Sequence, residues 1–252
     1  MFNKDIPHIY LFGVPIHHLT MDQTLELIDS AIVSKKQIHH VVVNAAKLVN
    51  MKKDAALCQS VIESDIINAD GQSVIWASRL LGKSLPERVA GIDLMTRLVL
   101  LAAAKKYRIF FFGAHQNIVE SVVNKYSEEY GPEIIAGYRN GYYDKSEEET
   151  IARQITDSRA DILFVAITSP QKEIFLNTYR ELINVPFIMG VGGAFDVVSG
   201  RTKRAPAWMQ KSGLEWLYRV LQEPRRMWKR YLVTNSRFIG MLFKEFWQKK
   251  RI

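Results

Sequence analysis

Short apolar runs and amphipathic stretches alternate along the first 190 residues of the chain. The runs, rich in β-branched and aromatic residues, indicate buried strands, and the stretches between them have the three- and four-residue spacing of helices. The predicted strands are His8–Phe12, His39–Val43, Asp65–Ala69, Arg108–Phe112, Glu133–Ala136, Asp161–Ile167 and Pro186–Met189. This alternation predicts a Rossmann-like α/β fold, in which helices cover both faces of a mainly parallel sheet.

Helices are predicted between these strands, and the first begins at a recognisable signal. Thr20-x-x-Gln23 is a capping box, in which each side chain accepts a hydrogen bond from the other residue's backbone N–H. The predicted helices span residues 20–33, Ala46–Ile62, Ser73–Leu81, Ile92–Lys106, Asn117–Tyr130, Ser146–Ser158 and Gln171–Ile183.

Polar and glycine residues collect where the predicted strands end. In parallel α/β sheets the carboxyl ends of the strands share one edge, and ligands bind outside it. The turns at that edge carry Asn44, Asp70, Gly113, Thr168–Gln171 and Gly190–Asp196. Their convergence predicts a ligand site there.

The glycine-rich turn has a composition suited to an anion. Gly190, Gly192 and Gly193 would let backbone approach a phosphate closely, and the cations Arg201 and Arg204 follow shortly afterwards. The alternative interpretation is an ordinary tight turn followed by a solvated basic loop.

Asp70 and Asp196 are carboxylates at predicted strand ends, and Arg88 lies in a nearby loop. An aspartate in a pocket can act as a general base if a neighbouring cation keeps it ionised near neutral pH. An isolated Asp-Gly is also common in turns, so the pair Asp70-Gly71 does not establish this role by itself.

Composition and missing motifs exclude several classes of protein. One cysteine, Cys58, leaves no internal disulfide, and no signal-peptide pattern or apolar span of about 18 residues is present, so we expect a cytoplasmic location. The six histidines lack metal-ligand spacing, and HExxH, GxSxG, Walker A and GxGxxG motifs are absent. We expect neither a metal nor a cofactor.

The C-terminal segment differs from the rest. Residues 201–252 carry 14 Lys and Arg against three Glu, a net charge of +11, and four of the five tryptophans. We therefore divide the chain into an α/β core (residues 1–200) and a basic helical appendage (residues 201–252). A helix ends before Pro224, and beyond it apolar residues recur at helical spacing: Trp228, Tyr231/Leu232, Ile239, Leu242 and Phe246.

A basic amphipathic helix with interfacial tryptophans is typical of proteins that dock on anionic membranes. The alternative is a helix packed on the body with its basic side chains in water. Nucleic acid is not an expected partner because no binding motif is present. Self-association through the appendage helices is a further alternative when no membrane is present.

Several ordered motifs resemble one enzyme family. They are Asn44, Asn68-Ala69-Asp70-Gly71, Arg88-Val89-Ala90-Gly91-Ile92-Asp93, Ser169-Pro170-Gln171-Lys172-Glu173, Gly190–Asp196, Arg204-Ala205-Pro206-Ala207-Trp208, Leu214-Glu215-Trp216 and Glu223-Pro224-Arg225-Arg226. Together they resemble the WecG/TagA/CpsF family, glycosyltransferase family 26, of bacterial cell-surface polysaccharide and teichoic acid synthesis. The resemblance extends from about Phe12 to about Tyr231.

The resemblance implies an inverting, metal-independent transfer from a UDP-sugar, with N-acetylmannosamine or a related hexose as the sugar. The acceptor would be a sugar on polyprenyl diphosphate at the inner face of the cytoplasmic membrane. Asp70 would be the base that deprotonates the acceptor hydroxyl, and Arg88 would lie near the donor diphosphate. The expected substrate-binding residues are Asn44, Arg88, Gln171, Gly192, Gly193, Asp196, Arg201 and Arg204.

Two positions depart from the family pattern. Val42 replaces a frequent threonine, and Gln171-Lys172 exchanges the usual order of glutamine and its neighbour. Donor preference could differ accordingly, with UDP-glucose or UDP-glucuronate as alternative donors. A non-catalytic membrane-binding scaffold is a further alternative, although a scaffold has no need for Asp70 with Arg88.

Overall fold

The computed structural model describes residues 6–249, apart from the side chains of residues 226, 230 and 249. The strands in this range are β1 (His8–Leu11), β2 (Val14–His17), β3 (Ile38–Val43), β4 (Ile66–Ala69), β5 (Ile109–Gly113), β6 (Ile135–Arg139), β7 (Ile162–Ala166) and β8 (Phe187–Gly190). Within it, β3–β8 form one six-stranded sheet in the order β4-β3-β8-β7-β5-β6, and every pairing is parallel. The predicted fold class is confirmed.

The helices before the last strand are α1 (Met21–Val33), α2 (Ala45–Met51), α3 (Ala55–Ile62), α4 (Gln72–Leu80), α5 (Gly91–Lys105), α6 (Gln116–Tyr130), α7 (Glu148–Asp157), α8 (Gln171–Thr178) and α9 (Arg180–Ile183). After it come α10 (Ala194–Val198), α11 (Ala207–Lys211), α12 (Glu215–Gln222) and α13 (Pro224–Lys249).

Helices cover both faces of the sheet, so its strands are apolar throughout. All five residues of β5 are buried, and their side chains alternate between the faces. Phe111 packs among residues of α1, α5, α6 and α10. Phe110 and Phe112 pack on the opposite face with α7, α8 and α9. Burying each phenylalanine contributes about 1.5–3 kcal/mol.

Local signals explain where helices begin. The capping box of α1 is present: Thr20 Oγ1 accepts from Gln23 N at 3.2 Å, and Gln23 Oε1 accepts from Thr20 N at 2.9 Å. The predicted single helix Ala46–Ile62 is wrong, because Asp54 caps a new helix by accepting from Leu57 N at 2.9 Å. The predicted helix Gln171–Ile183 likewise divides at Tyr179.

The N-terminal strand belongs to a hairpin that the apolar pattern did not reveal. Phe12 and Gly13 both have positive φ (54° and 83°), and the chain reverses there between β1 and β2. His17 Nδ1 at the end of β2 accepts from Ile67 N of the edge strand β4 at 2.9 Å. Burial lowers the pKa of His17 to about 4, so the imidazole is neutral and can accept this bond.

The sixth strand was misplaced by the sequence pattern. Residues 132–134 form a 3₁₀ turn, and β6 continues through Gly137 to Arg139, beyond the predicted end of the strand at Ala136. A side chain at Gly137 would lie 2.8 Å from the ring of Phe110, so the strand there needs glycine.

The last helix packs its distal half on the hairpin and α2. Phe238 meets Phe12 edge-on with ring centroids 5.4 Å apart, and Glu245 accepts from Phe12 N at 2.9 Å. Leu242 and Phe246 of the predicted stripe pack on the same apolar cluster. The same helix leaves Trp228, Leu232, Ile239, Phe243 and Trp247 exposed. Among the described residues, no helix is long and apolar enough to cross a membrane.

Candidate active site

Asp70 lies directly after β4, beside the end of β3. Its backbone N–H donates to Val43 O at 2.9 Å, and its Oδ1 accepts from Gly91 N, the first residue of α5, at 3.3 Å. The carboxylate is therefore held at the carboxyl edge of the sheet, where the sequence predicted a ligand site.

The surroundings of Asp70 make its carboxylate more basic. Its pKa is raised to about 6, mainly by burial; the charge of Glu215 also raises it, whereas the nearby cations Arg88 and Arg219 and the hydrogen bond from Gly91 lower it. A carboxyl group with a pKa near 6 is mostly ionised at pH 7 and still accepts a proton readily, which are the properties of a general base.

Arg88 is buried for most of its length and pairs with carboxylates on two elements. Its Nη1 lies 3.2 Å from Glu215 Oε2 of α12, and its Nη2 lies 3.7 Å from Asp93 Oδ2 of α5. Arg219 Nη2 is 3.6 Å from the other oxygen of Glu215. The appendage thus contributes charged groups to the surroundings of Asp70.

Two further arginines predicted to bind substrate are also paired with carboxylates. Arg204 donates two hydrogen bonds to Asp93, at 2.5 and 2.8 Å. Arg201 lies 3.5 Å from Asp196, and both are at the surface. A diphosphate that binds these arginines has to compete with the carboxylates, which occupy the N–H groups that phosphate oxygens would accept from.

Asn44 follows β3 and is brought beside the turn that carries Asp70. Its Oδ1 accepts from Lys47 N at 3.0 Å and so caps α2. A side chain at Gly71 would lie 3.5 Å from Asn44 Cβ, which shows how closely the two turns approach. Asn44 and Asp70 thus share one end of the site.

The glycine turn after β8 leaves open space above its backbone. Gly192 has φ +54°, and a side chain there would meet nothing within 4 Å. At Gly193 the nearest atom would be Asp196 Oδ2 at 3.9 Å. The turn continues into the short helix α10, so these glycines border an unfilled surface that a ligand can approach.

Gln171 and its neighbour point in different directions. Gln171 is exposed, and its Oε1 accepts from Thr168 Oγ1 at 3.0 Å. Lys172 is buried and its Nζ lies 2.5 Å from Glu173 Oε1. Lys47 Nζ reaches the same oxygen at 2.8 Å. Sequence reasoning singled out Gln171 and missed Lys47, because nothing in the local sequence around Lys47 shows that it reaches Glu173 in the folded chain.

A stacked pair that sequence reasoning missed lies at the end of β5. The rings of His115 and Tyr142 are 4.3 Å apart and nearly parallel, and Tyr142 Oη is 2.6 Å from His115 Nε2. Gly113 has φ +125° and passes so close to Ala166 that no side chain would fit. The pair presents an exposed aromatic surface beside the ends of β5 and β7.

Comparison with known proteins identifies the family. A sequence model of the glycosyl transferase WecG/TagA/CpsF family matches residues 9–252. The chain belongs to this family. It is therefore a glycosyltransferase, as the ordered motifs predicted.

Two characterised relatives carry the same name, N-acetylglucosaminyldiphosphoundecaprenol N-acetyl-beta-D-mannosaminyltransferase. The protein from Bacillus subtilis strain 168 is 41% identical over 193 residues, which cover 77% of this chain and 74% of the relative. The protein from Bacillus spizizenii W23 is 40% identical over 175 residues, which cover 69% of this chain and 67% of the relative.

The candidate site spans the sheet edge from β4 to β5. Asp70, Asn44 and Arg88 lie at the β4 and β3 end, the glycine turn is central, and the stacked pair lies at the β5 end. Within residues 6–249, no group of three or more His, Cys, Asp or Glu side chains could hold a metal ion.

Proposed function

We propose that this glycosyltransferase moves N-acetylmannosamine from its UDP conjugate to N-acetylglucosamine on polyprenyl diphosphate, with inversion and without a metal. The product would enter cell-surface polysaccharide or teichoic acid synthesis. The names of the two relatives support the choice of substrates. The observation that carries the proposal is Asp70, a carboxylate with a raised pKa at the sheet edge beside Arg88.

Asp70 performs the proton transfer in this mechanism. An acceptor hydroxyl attacks the anomeric carbon from the face opposite UDP, the bond from that carbon to the β-phosphate oxygen breaks, and Asp70 takes the hydroxyl proton. General-base catalysis of this kind contributes about 10²–10⁴-fold. One base suffices, because inversion proceeds in a single displacement.

The leaving diphosphate needs cations when no metal neutralises it. Arg88, Arg201 and Arg204 fill this role by exchanging their carboxylate partners for phosphate oxygens. Charge-assisted bidentate bonds make arginine suited to phosphate. The open backbone at Gly192 and Gly193 gives the diphosphate a path across the sheet edge, and Tyr142 offers a ring face for uracil stacking.

The appendage places the site at the bilayer that holds the acceptor. The exposed apolar stripe of α13 consists of Trp228, Leu232, Ile239, Phe243 and Trp247, and the cations Arg225, Lys229, Arg237 and Lys244 are exposed on the same helix. Such a surface inserts at a membrane interface and is attracted to anionic lipids. We therefore expect peripheral association with the inner face of the cytoplasmic membrane.

UDP release from a panel of UDP-sugars, with a polyprenyl-diphosphate-N-acetylglucosamine analogue as acceptor, tests the function. Wild type should release UDP from the N-acetylmannosamine donor only when the acceptor is present. Asp70→Asn should lose this release, whereas Asp22→Asn, a change in an exposed ion pair with Arg97, should retain it. Acceptor-dependent release from a different donor would replace the proposed sugar, and equal activity in Asp70→Asn would remove the proposed base.

Docking is tested separately by co-sedimentation with vesicles containing anionic lipid. Replacing Trp228, Phe243 and Trp247 together by serine should release the protein from vesicles without lowering its melting temperature, because these side chains are exposed. Retention on vesicles after that change would refute docking through this stripe.

A further inference from the structure

The appendage places one carboxylate on an arginine of the candidate site. Glu215 is the first residue of α12, and its Oε2 lies 3.2 Å from Arg88 Nη1. Its other oxygen, Oε1, lies 3.6 Å from Arg219 Nη2. The Glu215 and Arg88 side chains are 21% and 14% exposed, so water and salt screen their attraction only partly. One carboxylate thus offers an oxygen to each of two arginines.

The same carboxylate acts on the other charged groups of the site. Burial is the main cause of the raised pKa of Asp70, and the charge of Glu215 also raises it. The hydrogen bonds to Asp93 raise the pKa of Arg204 most, and the charge of Glu215 adds to that shift. Glu215 therefore lies within electrostatic reach of the proposed base and of two arginines proposed to bind the diphosphate.

Helix α12 does not itself require the contact between Glu215 and Arg88. A glutamate in the first turn of a helix interacts favourably with the helix dipole while its side chain stays in water. None of residues 215–222 is buried, and α12 packs on α13, where the ring centroids of Trp216 and Tyr231 are 5.9 Å apart. Glu215 can therefore leave Arg88 without exposing a buried apolar side chain of its own helix.

A nucleoside diphosphate is a stronger partner for Arg88 than a single carboxylate. It carries more negative charge, and its oxygens accept the paired hydrogen bonds that a guanidinium donates. Two anions held at one arginine in a partly buried place repel each other. A diphosphate that binds Arg88 therefore has to displace Glu215, and the free energy of the Arg88–Glu215 pair opposes its binding.

We propose that Glu215 is a positioning residue that occupies Arg88 when no donor is bound and yields the arginine to the donor's diphosphate. This rests on the proposed function, in which Arg88 binds the leaving diphosphate. Glu215 compensates the charge of Arg88 in the empty site and lowers the affinity for the donor. Because α12 packs on α13, the appendage that contacts the bilayer also controls the access of the diphosphate to Arg88.

Calorimetric binding of UDP and uridine to wild type and Glu215→Gln tests this role. Glutamine keeps the length of the side chain but lacks the charge, so the substitution should tighten UDP about fivefold. Uridine has no phosphate, and its affinity should stay unchanged. Weaker binding of UDP would show that Glu215 orients Arg88 for the donor, and an unchanged affinity would show that the two anions do not compete. Either result would overturn the proposal.

Arg88→Gln distinguishes an occupied arginine from repulsion at a distance. Arg88→Gln alone should weaken UDP, and adding Glu215→Gln should give no further gain, because the group for which the two anions compete is gone. A fivefold gain that persists without Arg88 would refute the exchange. Glu149→Gln removes an exposed glutamate–arginine pair with Arg153 on α7 and should bind UDP as wild type does.

Thermal unfolding gives a second readout, which a purely structural role would not change. Without UDP, Glu215→Gln should have a lower Tm than wild type, because Arg88 loses its nearer carboxylate and keeps only Asp93 at 3.7 Å. At the same UDP concentration the rise in Tm should be larger in the variant, because UDP replaces the lost partner. Equal rises in the two proteins would contradict the exchange.

Wild-type binding separates this inference from the function on which it rests. If wild type binds UDP and Glu215→Gln binds it equally well, the role of Glu215 is rejected and the proposed transfer stands. If wild type does not bind UDP, the UDP-sugar donor is rejected, and the exchange at Arg88 with it.

Discussion

Strand β4 has an aspartate at each end, and the two carboxylates have opposite surroundings. Asp65, before the strand, accepts from His39 N at 2.8 Å and pairs closely with Arg180. Asp70, after the strand, accepts from Gly91 N at a longer 3.3 Å, with charges of both signs nearby. The two carboxylates are five residues apart: Asp65 is paired directly with an arginine, and Asp70 accepts a longer hydrogen bond from a backbone N–H.

This difference separates a structural carboxylate from a reactive one. Asp65 joins β3, β4 and α9, so its negative charge stabilises the fold through a directly paired cation. The fold holds Asp70 in a partly dehydrated place, and the pKa of this side chain rises to about 6. A group that the fold leaves incompletely satisfied retains the capacity to take a proton.

The largest expected effect is on turnover by Asp70→Asn. The amide is nearly isosteric but cannot accept the proton, so kcat should fall about 10²–10⁴-fold while the affinity for UDP stays within a few-fold. Single-turnover transfer and calorimetry measure the two quantities. A loss confined to KM would instead assign Asp70 to substrate binding.

Asp65→Asn should have its largest effect on stability. It leaves Arg180 without its carboxylate in a mostly buried place, and we expect a loss of about 3 kcal/mol in the free energy of unfolding. Urea denaturation measures it. Arg180→Gln is the partner control, and the double variant should lose less than the sum of the single variants. Additive losses would show that the pair is not coupled.

The sequence pattern predicted the backbone of the site better than its side-chain partners. Asp70 was identifiable because a short apolar strand ends there, and parallel strands bring their ends together. Asp65 precedes the same strand, but its partner Arg180 is 115 residues away, so nothing local reveals that the carboxylate is satisfied.

The ion pairs of the predicted substrate-binding arginines could not be predicted either, because their partners are distant in the sequence. Arg88 and Glu215 are 127 residues apart, and Arg204 and Asp93 are 111 apart, yet each forms an ion pair. The sequence suggested that these arginines are available to bind a diphosphate, whereas in the folded chain each is paired with a carboxylate. The apolar residues of α13 likewise fall into a buried group and an exposed group. The sequence pattern could not separate the two, because packing against the hairpin decides which residues of the helix are buried.

The pH dependence of activity should follow the ionisation of Asp70. Because the ionised carboxylate is the base, kcat/KM should be level above pH 7 and fall about tenfold per unit below about pH 6. Glu215→Gln removes a charge that raises the pKa of Asp70, so this fall should move to lower pH. A profile level down to pH 5 would show that Asp70 does not titrate in turnover.

The smallest expected effect is a gain in stability. The folded-state pKa of Asp70 lies above its ordinary value, so its ionisation opposes folding. The cost is full above about pH 6, declines below it as the folded carboxyl takes up a proton, and is gone below about pH 4, where the carboxyl of the unfolded chain is protonated too. Asparagine carries no such cost. Allowing for partial exposure, Asp70→Asn should stabilise the protein at pH 7.5 by about 1 kcal/mol, which raises Tm by about 2–4 °C.

Thermal unfolding of Asp70→Asn and wild type at several pH values measures this gain. The difference should shrink as pH falls from 7.5 to 4. A destabilised Asp70→Asn at pH 7.5 would mean that the fold depends on the ionised carboxylate, and the contrast between the two ends of β4 would then fail.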